Sequence, residues 1–294
     1  MNSNEANIIN DKPVSPLADI IQFTKFRLAS LVVLSAILCY LLATDDPQLR
    51  IIILLTIGGF LVTASSNGFN QIIEKDLDKL MSRTMNRPLP SGRMSIETAY
   101  TVSFTTGIIG LILLSFINLT CVILGFFALL SYVWMYTPYK QKSPFAVFIG
   151  AFPGAIPPML GWVAASGKID AGALICFAIQ FIWQFPHFWA IAWVLDEDYK
   201  KAGFKLLPSG NRDKSSAFQT FVYSSGLIPL CIIPYYFHIS GIVSAVACVI
   251  ISIAFAYQAF RLLKNCDVKS ARTLMFTSFL YLPLVQLILV LDKI

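Results

Sequence analysis

The sequence predicts an all-α, polytopic membrane protein with about nine transmembrane helices. Of its 294 residues, 56% are hydrophobic and only 13% are charged, and the mean hydropathy is +0.70. An ordinary soluble domain has roughly 45–50% apolar and about 25% charged residues. This composition excludes a disordered chain and a basic nucleic-acid-binding domain, so no nucleic acid is expected as a partner. The six cysteines lie mostly in apolar runs and form no CxxC pair, which favours buried thiols over disulfides or metal ligands.

Nine apolar segments are long enough to cross a bilayer. About 20 mostly apolar residues are needed, because the hydrocarbon offers no water to bond a bare backbone. We predict one transmembrane domain over residues 1–294, with residues 1–20 as a flexible cytoplasmic N-terminus. The predicted spans are residues 27–43, 51–72, 96–116, 119–137, 146–166, 171–194, 217–237, 239–262 and 272–291.

The basic residues lie almost entirely on one side of this arrangement. With the N-terminus on that side, 19 of the 22 lysines and arginines fall there, and the other side holds only Arg50, Lys168 and Lys293. Cytoplasmic loops of membrane proteins carry an excess of lysine and arginine. We therefore expect the N-terminus and the long loops 73–95 and 195–216 in the cytoplasm. The sequence shows no signal-peptide or transit-peptide pattern, so a bacterial inner (plasma) membrane is the expected location.

The second predicted span continues into a row of polar side chains. Asn70, Glu74 and Asp78 recur every four residues, so a continuous helix places all three on one face near the membrane surface. Two carboxylates and an amide suit Mg²⁺, which prefers oxygen ligands and commonly takes one or two carboxylates plus substrate phosphates. The structural alternative is a solvated helix end with ion pairs. The row extends back to Asn67 and Thr63, where polar atoms in lipid are costly, and this favours a site.

Arginines follow directly in the same loop. Arg83 and Arg87 carry guanidinium groups, which match phosphate oxygens bidentately. Carboxylates for a divalent cation, together with arginines for the remaining oxygens, describe a diphosphate site. We therefore predict Asn70, Glu74 and Asp78 as catalytic metal ligands, and the two arginines as substrate-binding residues.

This loop carries a recognisable sequence signature. Asn70-x3-Glu74-x3-Asp78, followed by RTMNRPLPSG at 83–92, resembles the first signature of the UbiA superfamily of intramembrane prenyltransferases. Members of that superfamily transfer an isoprenoid from its diphosphate to an aromatic or related acceptor. The common form of the motif is NDxxDxxxD, whereas this chain has Gln71 and Glu74 at two of the aspartate positions. The resemblance implies helices around a central cavity, with Mg²⁺ as the cofactor at the acidic motif.

The sixth span carries a histidine at a position where most of the superfamily has an acid. In most members this region supplies a second acidic motif. Here His187 falls where its first acid would be, and Asp198 falls where its last acid would be. An ionisable side chain inside lipid is a functional candidate by default, and the alternative is a hydrogen-bonded core histidine. Asp198 is expected either to bind a second Mg²⁺ or to accept a proton from water.

Two residues at the cytoplasmic end of the fourth span share a face. Tyr136 and Lys140 are expected either to contact diphosphate or acceptor carboxylates, or to form a positive-inside anchor with an interfacial tyrosine. In the fifth span, Gly150-x3-Gly154 permits close helix approach, and the prolines beside it remove helix hydrogen bonds. These features are compatible with the wall of a cavity or with packing alone.

The departures from the common pattern resemble one branch of the superfamily. The segments QFPHFW at 184–189 and DEDYKKAG at 196–203 carry this resemblance, which extends over roughly residues 20–290. It implies transfer of the farnesyl group of farnesyl diphosphate to a vinyl group of haem B, with addition of water, giving haem O and diphosphate. A neutral His187 imidazole could then ligate the haem iron, or orient a propionate or a water.

Two other functions stay open at this point. One is a transferase of the same superfamily that acts on an aromatic quinone precursor. The other is a membrane transporter whose pathway would be lined by Asn67, Gln180, Gln184 and His187. For the haem reaction, the implied partners are the two substrates, membrane lipid, and later haem-pathway enzymes or an oxidase assembly that uses the product.

Overall fold

The computed structural model describes residues 15–294, and helices make up most of that part of the chain. Within those residues nine helices are long and apolar enough to cross a membrane, which confirms the predicted fold class. Three shorter helices lie outside the spans. In chain order the helices are α1 Pro16–Phe23, α2 Phe26–Ala43, α3 Leu49–Ile73, α4 Lys75–Asp78, α5 Ile96–Ser115, α6 Leu119–Tyr139, α7 Ala146–Ser166, α8 Ala171–Val194, α9 Asp196–Lys201, α10 Lys214–Tyr236, α11 Ile242–Asn265 and α12 Val268–Leu291.

The span boundaries agree with the sequence prediction to within four residues at every end. Polar side chains fix five of the helix starts. The side chains of Ser95, Asn118, Asp170, Asp213 and Asp267 each accept a hydrogen bond from the backbone N–H three residues later. Each bond satisfies a first-turn donor that has no partner within the helix. The chain can therefore turn back at the membrane surface without leaving these groups bare.

Glycines bring two pairs of helices into backbone contact. A β-carbon added at Gly161 of α7 would lie 1.9 Å from the carbonyl oxygen of Ala36 in α2. One added at Gly110 of α5 would lie 2.9 Å from the carbonyl oxygen of Gly58 in α3. Small residues at helix interfaces allow this close approach, which is how helices associate in lipid.

An apolar cavity lies inside the ring of helices α2, α3, α5, α6 and α7. Its volume is about 50 Å³, and Gly59, Thr63, Ile156 and Pro157 are among its lining residues. Thr63 precedes Asn70 on α3 by seven residues, which is roughly 10 Å along a helix. The cavity therefore lies deeper in the membrane than the polar row at the end of α3.

Three long connections, residues 74–95, 140–145 and 195–213, lie on the same side of the helix bundle, and we call this the loop side. Helix α1 also lies there, because Arg93 Nε pairs with Asp19 Oδ1 at 3.0 Å. Residues 16–20 of the segment predicted to be flexible belong to α1. Residues 1–14 of that predicted segment lie outside the described residues.

On the opposite side, the C-terminus ties the last span to the first. The ammonium of Lys293 donates to the carbonyl oxygens of Leu41 and Thr44, at the end of α2. It also pairs with Asp45 at 3.0 Å. A cation at a helix C-terminus satisfies carbonyls that have no partner in the helix. The first and ninth spans are therefore held side by side at this surface.

Candidate active site

The polar row at the end of α3 is buried on one face. Helix α3 ends at Ile73 and α4 begins at Lys75, but the backbone bonds from Glu74 N to Asn70 O (2.9 Å) and from Asp78 N to Glu74 O (2.8 Å) continue across the break. Asn70, Glu74 and Asp78 are exposed by only 1%, 4% and 0%. The structure therefore brings the three predicted side chains to one buried face, although the helix is not continuous.

Each of the two carboxylates in this row holds a cation. Glu74 Oε1 lies 2.8 Å from Lys140 Nζ, and Asp78 Oδ2 lies 2.6 Å from Arg87 Nη1. All four side chains are largely shielded from solvent, so these are buried ion pairs. The structure thus places Arg87 and Lys140, two of the predicted substrate-binding residues, directly beside the acidic row.

The oxygen donors in this row fit a hard divalent cation. The Oδ1 atom of Asp78 is buried and has no hydrogen-bond partner among the described residues. The amide nitrogen of Asn70 donates to Thr137 Oγ1 at 3.2 Å, which leaves the amide oxygen for another partner. Residues 15–294 contain no group of three or more His, Cys, Asp or Glu side chains that could hold a metal by themselves. A metal here would therefore need substrate oxygens or water, as is usual for Mg²⁺.

The Tyr136 ring lies beside the Lys140 ammonium. This tyrosine lies in a π-helical segment, Ser131–Tyr136, near the loop-side end of α6. The Lys140 ammonium lies 4.7 Å from the centre of the Tyr136 ring, where a cation is attracted to the ring face. The ring itself packs on Gly150, where an added β-carbon would lie 2.6 Å away. Burial lowers the pKa of Lys140, but the charge and hydrogen bond of Glu74, together with Tyr132 and Tyr199, outweigh it and raise that pKa overall.

The ammonium of Lys25 is a further cation that interacts electrostatically with these two ion pairs. Burial and the charges of Arg87 and Lys140 lower its pKa to about 7. Glu74 and Asp78 act on it in the opposite direction. Sequence reasoning missed this residue, because a lysine before the first span is fully explained by the charge bias of cytoplasmic loops.

Arg83 and Asp198 lie together, away from the acidic row. The carboxylate of Asp198 accepts hydrogen bonds from the backbone N–H groups of Ser82 (2.8 Å) and Arg83 (3.1 Å) and pairs with Lys201 at 3.2 Å. Burial alone would raise its pKa, but these bonds lower it to about 2. The exposed Arg83 guanidinium lies 5.9 Å from the centre of the Tyr199 ring. Within the described residues, neither side chain touches the carboxylates of Glu74 and Asp78.

His187 is held between α8 and α12. Its Nδ1 atom lies 2.7 Å from Ser278 Oγ, and that hydroxyl donates its single hydrogen to Met275 O at 2.6 Å. Ser278 therefore accepts from Nδ1–H, which leaves a lone pair on Nε2 of a neutral ring. The ring also stacks on Trp183, with 4.4 Å between centroids.

The other polar residues of the spans bond to each other or to the backbone. Gln184 donates to Ala151 O at 3.1 Å, and its amide lies against Gly154. Ser35 donates to Gln180 and accepts from Gln286. These contacts tie helices together, as expected for polar groups in a membrane interior, and they give the transporter alternative no support.

Comparison with known proteins gives strong matches along the chain. A model described as the UbiA prenyltransferase family matches residues 32–280. A protoheme IX farnesyltransferase of Cytophaga hutchinsonii is 50% identical, over 93% of this chain and 96% of its own length. A protoheme IX farnesyltransferase of Christiangramia forsetii is 45% identical, over 97% of this chain and 96% of its own length.

Solved structures share the fold at much lower identity. A digeranylgeranylglyceryl phosphate synthase structure has a TM-score of 0.79 and 23% identity, covering 94% of this chain and 98% of its own. A UbiA homologue from Archaeoglobus fulgidus bound to GPP and Mg²⁺ has a TM-score of 0.71 and 15% identity, covering 92% of this chain and 99% of its own. The chain belongs to the UbiA prenyltransferase family, in the branch of the protoheme IX farnesyltransferases.

Proposed function

We propose that the protein transfers the farnesyl group of farnesyl diphosphate to a vinyl group of haem B. Water adds in the same reaction, and the products are haem O and diphosphate. The observation that carries the proposal is the pair of buried carboxylates, Glu74 and Asp78, each holding a cation above an apolar cavity. The activity named for relatives up to 50% identical supports the identity of both substrates.

The oxygen-bearing row is proposed as the Mg²⁺ site, with Asn70, Glu74 and Asp78 as ligands. The Oδ1 atom of Asp78 has no hydrogen-bond partner within residues 15–294, and Asn70 bonds through its amide nitrogen. The Asp78 Oδ1 and the Asn70 amide oxygen are therefore available to coordinate a metal. Bound Mg²⁺ supplies positive charge that stabilises the diphosphate as it leaves. The fold shared with a UbiA homologue bound to GPP and Mg²⁺ is consistent with this assignment.

The cations around the row are proposed to bind diphosphate oxygens. Arg87 and Lys140 lie within 3 Å of the carboxylates, so they flank any anion that binds there. Negative charge grows on the diphosphate as the allylic C–O bond breaks, and preorganised cations lower that barrier. Tyr136 is proposed to help hold the Lys140 ammonium, which lies near its ring face. We propose that Arg83 contacts the outer part of the diphosphate only after its loop closes, because its side chain now lies over Tyr199.

The farnesyl chain is proposed to run from the row into the cavity past Thr63. Its first carbon forms a bond with the terminal carbon of the haem vinyl group as the bond to diphosphate breaks. The resulting cation on the vinyl group takes up the oxygen of water, and one proton is released. An apolar wall keeps bulk water away from the positive charge that develops on the farnesyl carbon before that step.

His187 is proposed to contact haem. The hydrogen bond to Ser278 fixes the ring with an unprotonated Nε2, the atom that ligates iron in haem proteins. Asp198 is proposed as a positioning residue rather than a ligand, because the N–H groups of Ser82 and Arg83 bond to its oxygens. The loop side is proposed to face the cytoplasm from a bacterial inner membrane, since 19 of 22 basic residues lie on the side of the N-terminus.

A product assay tests this function. Membranes that contain the protein are incubated with haem B, farnesyl diphosphate and Mg²⁺, and the porphyrins are identified by mass spectrometry. We expect a haem that has gained one farnesyl group and one hydroxyl. Prenylation of an aromatic quinone precursor, with haem B recovered unchanged, would favour the other branch of the family and overturn the proposal.

A further inference from the structure

The turn between α1 and α2 has an unusual backbone at Lys25. Its φ of 51° and ψ of 54° lie in the left-handed region, which only three non-glycine residues occupy in the described part of the chain. A side chain with a β-carbon disfavours this conformation. Strained backbones of this kind persist where surrounding structure holds them, and they cluster at functional sites.

Two amides of α3 hold this turn in place. Gln71 Nε2 donates to Phe23 O at 2.5 Å, and Asn67 Nδ2 donates to Thr24 O at 3.3 Å. The Phe23 ring is fully buried, and it packs beside Gly68, where an added β-carbon would lie 2.9 Å from it. These contacts account for the departure at position 71, because a carboxylate there has no hydrogen to donate to a carbonyl.

The Lys25 ammonium has no carboxylate within 4 Å among residues 15–294, whereas both neighbouring cations have one. Asn67 and Gln71 precede Glu74 by about two turns and one turn of α3, so the backbone turn that they hold lies next to the acidic row. The charges of that row and of its two paired cations act on Lys25. Three cations against two carboxylates leave one positive charge in excess, and a divalent cation raises the excess to three. A fully ionised prenyl diphosphate carries three negative charges, so its binding would offset this excess and favour the charged form of Lys25.

We propose that Lys25 contacts the diphosphate of the prenyl substrate, and that Asn67 and Gln71 are positioning residues that hold the turn from which Lys25 reaches it. The inference rests on the proposed function. It adds a contact from the turn before the first span to a site otherwise built from α3, α4, the end of α6 and the loop that follows α4.

Binding of farnesyl thiodiphosphate, an unreactive analogue, tests the contact without turnover. The purified full chain is titrated with the analogue and Mg²⁺, and separately with haem B. In Lys25→Gly, glycine tolerates the left-handed backbone, so the melting temperature stays equal or rises. We expect analogue affinity to fall about tenfold or more, haem affinity to stay unchanged, and Lys25→Arg to retain most of the analogue binding. Lys264→Gln removes a loop-side charge outside the site and serves as the matched control.

Gln71→Glu tests the positioning role with a side chain of the same shape. We expect the same selective loss of analogue binding as in Lys25→Gly; if this variant does not fold, Asn67→Ala replaces it. Normal analogue binding by Lys25→Gly, or an equal loss of haem affinity, would overturn the contact. Normal binding by the position-71 or position-67 variant would overturn the positioning role. A wild-type protein that does not bind the analogue at all would instead refute the proposed function.

Discussion

Glu74 and Lys140 form a buried ion pair between the ends of two spans, α3 and α6, with 2.8 Å between Oε1 and Nζ. Their side chains are exposed by only 5% and 10%. Removing one partner of a buried pair leaves an uncompensated charge and costs roughly 3–5 kcal/mol. The pair therefore links the stability of this region to the same charges that are proposed to act on substrate.

A single and a double variant separate those two roles of Glu74. We expect Glu74→Gln to reduce farnesyl transfer by about a hundredfold or more, because it removes a proposed metal ligand and leaves Lys140 unpaired. The double variant Glu74→Gln with Lys140→Met should regain thermal stability but not activity. Thermal unfolding and product formation are measured on both. Full activity in the single variant would contradict the assignment of Glu74.

His187 and its hydrogen-bond partner Ser278 are expected to affect haem binding selectively. We expect His187→Ala to weaken haem B binding, measured by absorbance titration, while the affinity for farnesyl thiodiphosphate is retained. Ser278→Ala removes the group that fixes the ring, and losses of this kind typically reach about 10–100-fold in metal affinity. Equal losses for both substrates in His187→Ala would point to a structural role instead.

If the farnesyl chain occupies the cavity, filling the cavity should affect a long prenyl diphosphate more than a short one. Gly59 lines the cavity, and the nearest atom to an added β-carbon there lies 3.6 Å away, so Gly59→Leu fills space along the proposed farnesyl path. We expect the KM for farnesyl diphosphate to rise about tenfold, and geranyl diphosphate to be affected less. Gly226→Leu is the control, because a β-carbon at Gly226 meets nothing within 4 Å. An equal effect on both chain lengths would show that the path lies elsewhere.

Asp198 joins loop 195–213 to loop 74–95 by accepting hydrogen bonds from two backbone N–H groups. Asp198→Asn weakens the bonds to Ser82 N and Arg83 N, so loop 79–95 should become more accessible to limited proteolysis. We expect the KM for farnesyl diphosphate to rise about threefold to tenfold, with kcat little changed. Asp267→Asn alters a comparable capping carboxylate on the same side and should have neither effect. Loss of kcat with an intact loop would restore Asp198 as a catalytic candidate.

The spans were predictable because lipid imposes a simple rule on length and composition. Every boundary of the nine spans, such as Ala171 and Val194 of α8, falls within four residues of its expected position. The buried face of Asn70, Glu74 and Asp78 was also predictable, because helical spacing places the residues in register.

Contacts between distant segments could not be read from the sequence. The charge of Lys25 predicts a side of the membrane but not a partner, since topology explains it fully. Asp198 matches a metal motif by position, yet its oxygens bond to N–H groups more than 100 residues away. Arg83 fits phosphate chemistry, but its side chain lies over Tyr199.

Binding of Mn²⁺, a substitute for Mg²⁺, tests the central claim most directly. Electron paramagnetic resonance measures the bound ion when the purified protein is titrated in the presence of farnesyl thiodiphosphate. We predict that the wild-type protein binds the ion. We predict that Asp78→Ala, purified after normal insertion into the membrane, does not. Undiminished Mn²⁺ binding by Asp78→Ala would contradict the claim that the end of α3 holds the metal and the diphosphate.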